Sequence, residues 1–377
     1  MKAVISAYAR SPFHFAKKGA LAEVRPDTLA AGVVKGLVQR TDLDPALLED
    51  IILGCAYPEA SQGNNVARIV ALLAGLTHEV GGMTVNRFCG SSMQAVHIAA
   101  AQIEAGMGEA FLCVGVESMT MVPQGGFNFS PSPELLANTD AYISMGETAE
   151  NVAQRWNVSR ADQEAFAVDS HRKAAAARAE GRLAGEIVPV RLASGDVVDA
   201  DGCIRPSTSA EALANLKPAF RPDGVVTAGT SSPLTDGAAV VLVTSDAFAA
   251  KHGLQMLARI KSFATVGVDP AIMGIGPIPA TRKALARAGL SAADLDVIEI
   301  NEAFSSQALA CIRDLGLDPA KINLDGGGLS IGHPLGATGA RITGKAASLL
   351  VREKGRYALA TQCIGGGQGI ATVLERV

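Results

Sequence analysis

Cysteine and histidine come first, because a thiol close to an imidazole is the usual way to make a nucleophile at neutral pH. The chain holds six of each. The cysteines are Cys55, Cys89, Cys113, Cys203, Cys311 and Cys363; none forms a CxxC pair, and none stands at metal-ligand spacing from a histidine. No metal is therefore expected. Cys89 lies in Asn86-Arg87-Phe88-Cys89-Gly90-Ser91-Ser92-Met93, where a β-rich run gives way to a helix whose Val96, Ala99, Ala100 and Ile103 share one face and which Gly106 can stop. A thiol at a helix N-terminus feels the positive end of the dipole, which favours thiolate. The plainer alternative is a buried structural thiol. His333 is wedged between Gly332 and Pro334, a setting that restricts the backbone, and strained backbone clusters at functional sites. A satisfied turn histidine is the competing reading. The other histidines have no such setting, and His97, mid-helix in an Ala-rich stretch, reads as packing.

Two further segments have chemical potential. Thr361-Gln362-Cys363-Ile364-Gly365-Gly366-Gly367-Gln368-Gly369 ends in glycines whose N–H groups can turn toward an anion. A dinucleotide fingerprint does not fit, because Gly369 stands only eight residues before Val377, too few for the helix and strand that should follow. Taken locally, Cys363 reads as a buried thiol at a strand end. Asn301-Glu302-Ala303-Phe304 follows an apolar strand, and Asn301 there could hold a water or an oxyanion, or simply make a turn.

The elements that must position these residues come as a repeat. Asp50 and Asp296 open matching apolar strands, Gly81 to Gly90 matches Gly326 to Pro334, and the strand Ala110 to Gly115 matches Tyr357 to Cys363. The offset stays near 245 at all three landmarks. Two similar α/β halves are expected, with Cys89 and His333 on equivalent turns that a pseudo-two-fold packing can bring together. Residues 1–117 form the first half, with 236–258 returning to it, and 259–377 form the second. Residues 118–235 have no counterpart. That insertion begins Pro/Gly-rich, then carries a helix near Met145 to Trp156 and another after Ser159, with Asp162 in its first turn. Its cations, Arg155, Arg172, Lys173, Arg178, Arg182, Arg191, Arg205, Lys217 and Arg221, suit either a solvated surface or a lid that meets an anionic ligand.

Composition narrows the class. The length of 377 residues implies more than one core, and aromatics are scarce at 4% while glycine reaches 40 residues. Small residues allow close approach, so tightly layered α/β structure is expected. A net charge of −4 argues against a nucleic-acid surface. The chain shows no apolar run long enough to span a bilayer and no signal or transit segment, so a reduced, cytoplasmic protein is expected.

Together the blocks Asn86-Arg87-Phe88-Cys89-Gly90-Ser91-Ser92, Asn301-Glu302-Ala303-Phe304, Gly332-His333-Pro334 and Cys363-Ile364-Gly365-Gly366-Gly367 resemble the thiolase superfamily almost end to end, and within it the bacterial 3-ketoacyl-CoA thiolases of fatty-acid β-oxidation. The resemblance implies a duplicated five-layer αβαβα fold with the insertion as a loop domain that meets CoA. It implies CoA as co-substrate with no permanently bound cofactor. The implied activity is thiolytic cleavage of 3-ketoacyl-CoA through an acyl-Cys89 intermediate. In that scheme His333 is the base, Cys363 protonates the departing acetyl-CoA carbanion, and the N–H groups of Cys89 and Gly365 hold one oxyanion. His333 and a water on Asn301 hold the other.

Ser232 resembles the residue that meets the pantetheine amide, Arg205 and Leu216 positions near the adenine, and Met273 and Phe304 apolar neighbours of the thioester. The family also implies a homodimer or a dimer of dimers, and an association with a multifunctional β-oxidation subunit. Three alternatives share the fold. Acetoacetyl-CoA thiolases place a His where Ser144 precedes Met145-Gly146, and carry a cationic loop where Gln124 to Asp140 has no Lys or Arg. Ketoacyl synthases carry a His at the Cys363 position. An inactive scaffold subunit would have lost one of Cys89, His333 and Cys363.

Overall fold

The computed structural model describes residues 2–377. The first half lays down β1 (Ala3–Arg10), β2 (His14–Phe15), α1 (Pro26–Thr41), β3 (Asp50–Gly54), α2 (Val66–Leu73), β4 (Gly81–Val85), α3 (Ser91–Glu104) and β5 (Ala110–Ser118). An excursion follows through α4 (Pro133–Asn138), α5 (Met145–Arg155), α6 (Arg160–Ala179), the hairpin β6 (Val190–Arg191) and β7 (Val197–Val198), and α7 (Ala210–Ala214). The chain returns through β8 (Thr235–Ser245) and α8 (Asp246–Lys251). The second half runs β9 (Ala258–Gly267), α9 (Pro277–Ala288), β10 (Val297–Ile300), α10 (Ser305–Leu315), α11 (Leu335–Arg352), β11 (Tyr357–Ile364) and β12 (Gln368–Glu375).

The strand order is β10-β11-β12-β9-β1-β8-β5-β3-β4. It divides into two equivalent sheets that meet only where Val4 pairs Arg259 and Ile5 pairs Ala258. In the first sheet β3 lies parallel to β5, which lies antiparallel to β8, which lies antiparallel to β1. In the second β10, β11, β12 and β9 repeat those relations. Ile52 pairs Cys113 and Ile298 pairs Leu359, so the strand offset is 246 on both members of the pair. The outermost position differs. Beside β3 stands the full strand β4, whereas beside β10 only Ile322 makes a bridge. The second-half partner of β4 is thus Ile322, ahead of the Gly326–Gly328 segment matched to it in the sequence, and a longer turn carries the chain from there to His333.

Alternation along the strands builds the layers, because successive side chains leave opposite faces. Ile51, Leu53, Leu112 and Val240 pack with Leu29, Val33 and Val70 from α1 and α2. Ile52, Cys113 and Val241 face the other way, onto Val96, Ala99, Ala340 and Ala347 of α3 and α11. The second sheet gives Ala358, Ala360 and Ile370 to that same middle layer and Leu359, Ala371 and Val373 to the outer helices α9 and α10. Strands buried on both faces read as near-continuous apolar runs. The middle layer needs small residues: a Cβ on Gly339 of α11 would lie 2.3 Å from the Met93 nitrogen of α3.

The excursion is fastened to this frame by buried charge. The Arg10 guanidinium donates to Asp201 at 2.6 and 2.8 Å and to Glu186 at 2.7 Å, and Lys345 of α11 reaches Glu186 at 2.8 Å and Asp325 at 2.7 Å. Several of the insertion's cations are likewise used within the fold. Arg182 pairs Asp325 at 3.0 Å, Lys173 pairs Asp169 at 2.9 Å, and Arg221 donates to Asn151 at 2.7 Å. Only part of that positive charge is left for a ligand. Among the described residues no helix is long and apolar enough to cross a membrane.

Candidate active site

Cys89 sits in the tight turn between β4 and α3. The turn closes through Gly90 N–H to Arg87 O at 2.9 Å and Ser91 N–H to Phe88 O at 3.1 Å, with the Ser91 hydroxyl donating to Phe88 O at 2.6 Å and accepting from Arg87 N–H at 2.8 Å. Phe88 takes a left-handed backbone, φ +43°, which a bulky residue rarely adopts, and local strain of this kind is held only by over-determined surroundings. Here the Asn86 side chain supplies some of that hold, accepting from Phe88 N–H at 2.8 Å and donating to Ala56 O at 3.0 Å. From the second half, the Gln362 amide donates to the Cys89 carbonyl. The sulfur is met by the N–H groups of Gly365 and of Cys89 itself. Burial nevertheless dominates and pushes the thiol up to about 11, with the buried Glu117 carboxylate adding to the rise. The helix-end position therefore does not make a resting thiolate, contrary to the expectation from the dipole alone; loss of water around the sulfur outweighs it.

His333 owes its place to Gly332, whose φ of +114° turns the chain, and to its own N–H, which donates to Thr235 Oγ1 at 3.0 Å. The ring is buried, and burial, with Arg341 nearby, lowers it to about 3. The imidazole is neutral at physiological pH. Its tautomer follows from Thr338, one turn into α11. That hydroxyl donates to Pro334 O at 3.0 Å, so it must accept from His333 at the 2.6 Å contact with Nδ1. The Nδ1 proton leaves Nε2 with a lone pair, and the Asn301 amide Nδ2 stands 3.3 Å from Nε2. Asn301 follows β10 directly, and its Oδ1 is buried without a partner. A buried acceptor in that state calls for a donor such as a water.

Cys363 lies near the end of β11, beside β12, with Gly366 and Gly367 making the turn at φ +76° and +80°. Burial pushes its thiol far up, and negative charge on Cys89 pushes it further, so the two sulfurs feel one another. Met273 and Phe304 pack with Cys363, and Met145 borders the group. Ser232 comes alongside, its N–H donating to Ala303 O at 2.9 Å, while Ser231 bridges Phe304. Cys89 packs in a second apolar group with Ala16, Ala56, Met119, Leu335 and Tyr57, and Leu335 is two residues past His333. The structure therefore puts Cys89 beside Gly365 and Cys363, His333 beside Asn301, and Met273 and Phe304 against Cys363, with Ser232 bonded to Ala303 of that same group. Arg205 and Leu216 lie apart from each other, and the Leu216 side chain packs so that a Cβ on Gly229, three residues before Ser232, would lie 2.8 Å from its Cδ1. The Arg205 guanidinium lies 5.0 Å over the Phe15 ring and its N–H donates to His171 toward the far end of α6, whereas the Leu216 carbonyl accepts from Arg160 at the start of α6. A 490 Å³ cavity between α5 and the Arg221–Val225 loop includes none of these residues. Among the described residues no group of three His, Cys, Asp or Glu stands where it could hold a metal.

Two buried positions that brace these residues escape a sequence reading. Thr338 is one. Glu117, at the end of β5, is the other: fully buried, it accepts from Ala56 N–H at 2.9 Å, Tyr57 N–H at 3.3 Å, Gln62 Nε2 at 2.9 Å and Gly336 N–H at 2.9 Å. It ties the loop beside Cys89 to the first turn of the helix that follows His333.

Comparison with known proteins agrees with this geometry. The family model described as thiolase, N-terminal domain, matches residues 3–247, and that described as thiolase, C-terminal domain, matches residues 254–376. Curated proteins named 3-ketoacyl-CoA thiolase from Shewanella denitrificans (strain OS217) and Shewanella putrefaciens (strain CN-32) are each 50% identical over 388 residues, covering 100% of both chains. With both domain models matched in order and together covering nearly the whole chain, this chain belongs to the thiolase family.

Proposed function

We propose that this chain cleaves 3-ketoacyl-CoA with free CoA, giving acetyl-CoA and an acyl-CoA shortened by one acetyl unit, through an acyl-Cys89 thioester. The observation that carries the proposal is the neutral His333 ring, whose Nδ1–H is donated to the Thr338 hydroxyl, leaving on Nε2 a lone pair that stands 3.3 Å from the Asn301 amide. Burial disfavours both thiolate and imidazolium alone, so the resting site is thiol and neutral imidazole. The proton passes to Nε2 as sulfur forms its bond to the 3-keto carbon. The new oxyanion meets the Cys89 and Gly365 N–H groups, donors that typically contribute roughly 3–4 kcal/mol each. The Cα–Cβ bond then breaks, its electron pair goes to Cα, and the Cys363 S–H protonates that carbon. His333 and a water on Asn301 answer the thioester enolate oxygen. Free CoA, deprotonated at the same site, takes the acyl group from Cys89. Sulfur suits both halves, since thiolate attacks well and its thioester stays open to another thiol.

The thioester arm of the substrate lies along Met273, Phe304 and Ser232, with Arg205 and Leu216 available to the nucleotide end across the insertion. The division of labour is one half (1–117 with 236–258) for the nucleophile, the other (259–377) for base and acid, and 118–235 for CoA. A homodimer is supported by β4, an edge strand that is half-buried along its length, with Leu73 of α2 and Phe88 exposed nearby. Unpaired edge groups of this kind invite a symmetric copy. A cytoplasmic setting and a multifunctional oxidation subunit as partner complete the proposal. The test is product analysis: equal amounts of acetyl-CoA and shortened acyl-CoA, dependent on added CoA and lost in Cys89→Ala. Cleavage that continues in Cys89→Ala contradicts it.

A further inference from the structure

Cys89 has two apolar sides. One is the group around Cys363, with Met273 and Phe304. The other holds Ala16, Ala56, Met119 and Leu335, with Tyr57 half-buried at its border. A 3-ketoacyl thioester has two arms at the carbon that Cys89 attacks. The arm through Cα to CoA must pass Cys363, because that thiol delivers its proton to Cα. The alkyl arm must leave on the opposite side, toward Met119, Leu335 and Tyr57, and of these three Tyr57 is the one left partly exposed.

Tyr57 is held there firmly. Its ring stands 6.0 Å from that of Phe88, the residue before the nucleophile. The Gly125 N–H reaches its phenol oxygen, and two residues on, the Glu59 carboxylate accepts from Phe127 N–H at 2.8 Å. The stretch from Pro123 to Asn128 is thus strapped over the Tyr57–Glu59 loop at two points, with Gly125 and Gly126 at φ +98° and +73° making its bend. This strap bears no Lys or Arg and presents Phe127, 58% exposed, to the outside. Tyr57 and Phe88 put two aromatic rings beside Cys89 under a strap without cations, surroundings that suit an alkyl chain.

We propose that Tyr57 is a specificity-determining residue: its ring closes the acyl side of the Cys89 cleft beneath the Pro123–Asn128 strap and so limits the length of the alkyl chain that the acyl-enzyme accommodates. The proposal rests on the thiolytic reading above. Replacing the ring by a methyl group opens space for methylenes, and each one newly buried is worth about fourfold in kcat/KM.

The experiment is a kcat/KM series from acetoacetyl-CoA to 3-ketopalmitoyl-CoA for the full chain, Tyr57→Phe, Tyr57→Leu and Tyr57→Ala. Tyr57→Ala should raise the ratio of long-chain to short-chain kcat/KM by about tenfold or more, two or three methylenes' worth. Tyr57→Leu should move it part of the way, and Tyr57→Phe, which keeps the ring, should leave it as in the parent. An unchanged ratio in Tyr57→Ala and Tyr57→Leu overturns the proposal, as does a shift in Tyr57→Phe equal to that in Tyr57→Ala, which would assign selectivity to the strap's tether. Loss of activity at every length in both Tyr57→Ala and Tyr57→Leu also overturns it, since a wall residue is not needed for acetoacetyl-CoA. If the parent chain itself cleaves none of the series, the thiolytic reading fails instead.

Discussion

Replacing Thr338 by Val tests whether the histidine tautomer is set as the hydrogen bonds require. The substitution keeps shape and removes one hydroxyl, which accepts from His333 Nδ1 at 2.6 Å and donates to Pro334 O at 3.0 Å. Thr338 is fully buried, so no bulk water replaces it. The Nδ1–H tautomer then carries an unpaired buried donor, at a cost of about 1–3 kcal/mol. The other tautomer fares no better, because its Nε2–H would face the Asn301 amide donor 3.3 Å away. If the bias toward the base-competent ring is lost from the transition state, kcat falls by about 5- to 150-fold. KM should stay within about twofold, since the hydroxyl touches no substrate. Thr338→Ser restores the hydroxyl and should restore kcat to within about threefold, which a purely structural role in α11 would not require. The assay is steady-state thiolysis, with the rate of Cys89 alkylation by iodoacetamide followed against pH. A Thr338→Val protein with parental kcat and parental alkylation profile would refute the tautomer argument.

Other outcomes follow from the same structure. Cys363→Ala should slow proton exchange at C2 of acetyl-CoA by at least about a hundredfold while acyl transfer to Cys89 persists; exchange at the parental rate would place the acid elsewhere. In acid the protein should lose stability, because burial lowers His97 and His333 to about 3 and His171 to about 4. With folded values below the unfolded 6.5, their contribution is whole above that pH and falls away as pH drops toward 4 for His171 and toward 3 for His97 and His333, by up to about 3–5 kcal/mol per ring. Urea titrations at pH 7 and pH 5 should therefore differ, and equal midpoints would contradict this. Gly339→Val puts a side chain where even a Cβ would lie 2.3 Å from the Met93 nitrogen, and should cost at least about 3 kcal/mol, read as soluble yield and Tm.

The sequence showed the parts that depend on local pattern. Alternation and continuous apolar runs marked β3, β5, β10 and β11, and helix signals marked α5 and α6, whose Ser144 and Ser159 do cap them by accepting from Glu147 and Asp162 N–H at 3.3 and 3.1 Å. The repeat placed Cys89 and His333 on matched turns. It could not show that the partner of β4 shrinks to a bridge at Ile322, because strand length at a sheet edge is decided by what packs beside it. Nor could it weigh dipole against burial at Cys89, which depends on how much of the second half closes over the sulfur. Thr338 was five residues from His333, one turn into the following helix, and legible in hindsight, since a hydroxyl there can reach the ring. Glu117 was not, because its four donors come from Ala56, Tyr57, Gln62 and Gly336, scattered over both halves.

The central claim is that Cys89 carries the acyl group. With 3-ketoacyl-CoA supplied and free CoA withheld, the second half-reaction cannot run, and the acyl-enzyme should accumulate. Intact mass and peptide mapping should then find one acyl group per chain on the peptide that contains Cys89, with one acetyl-CoA released, and on adding CoA the acyl group should leave Cys89 as the shortened acyl-CoA. Acylation at any other cysteine, or full turnover with no acyl-Cys89 detected at any time, would contradict the account.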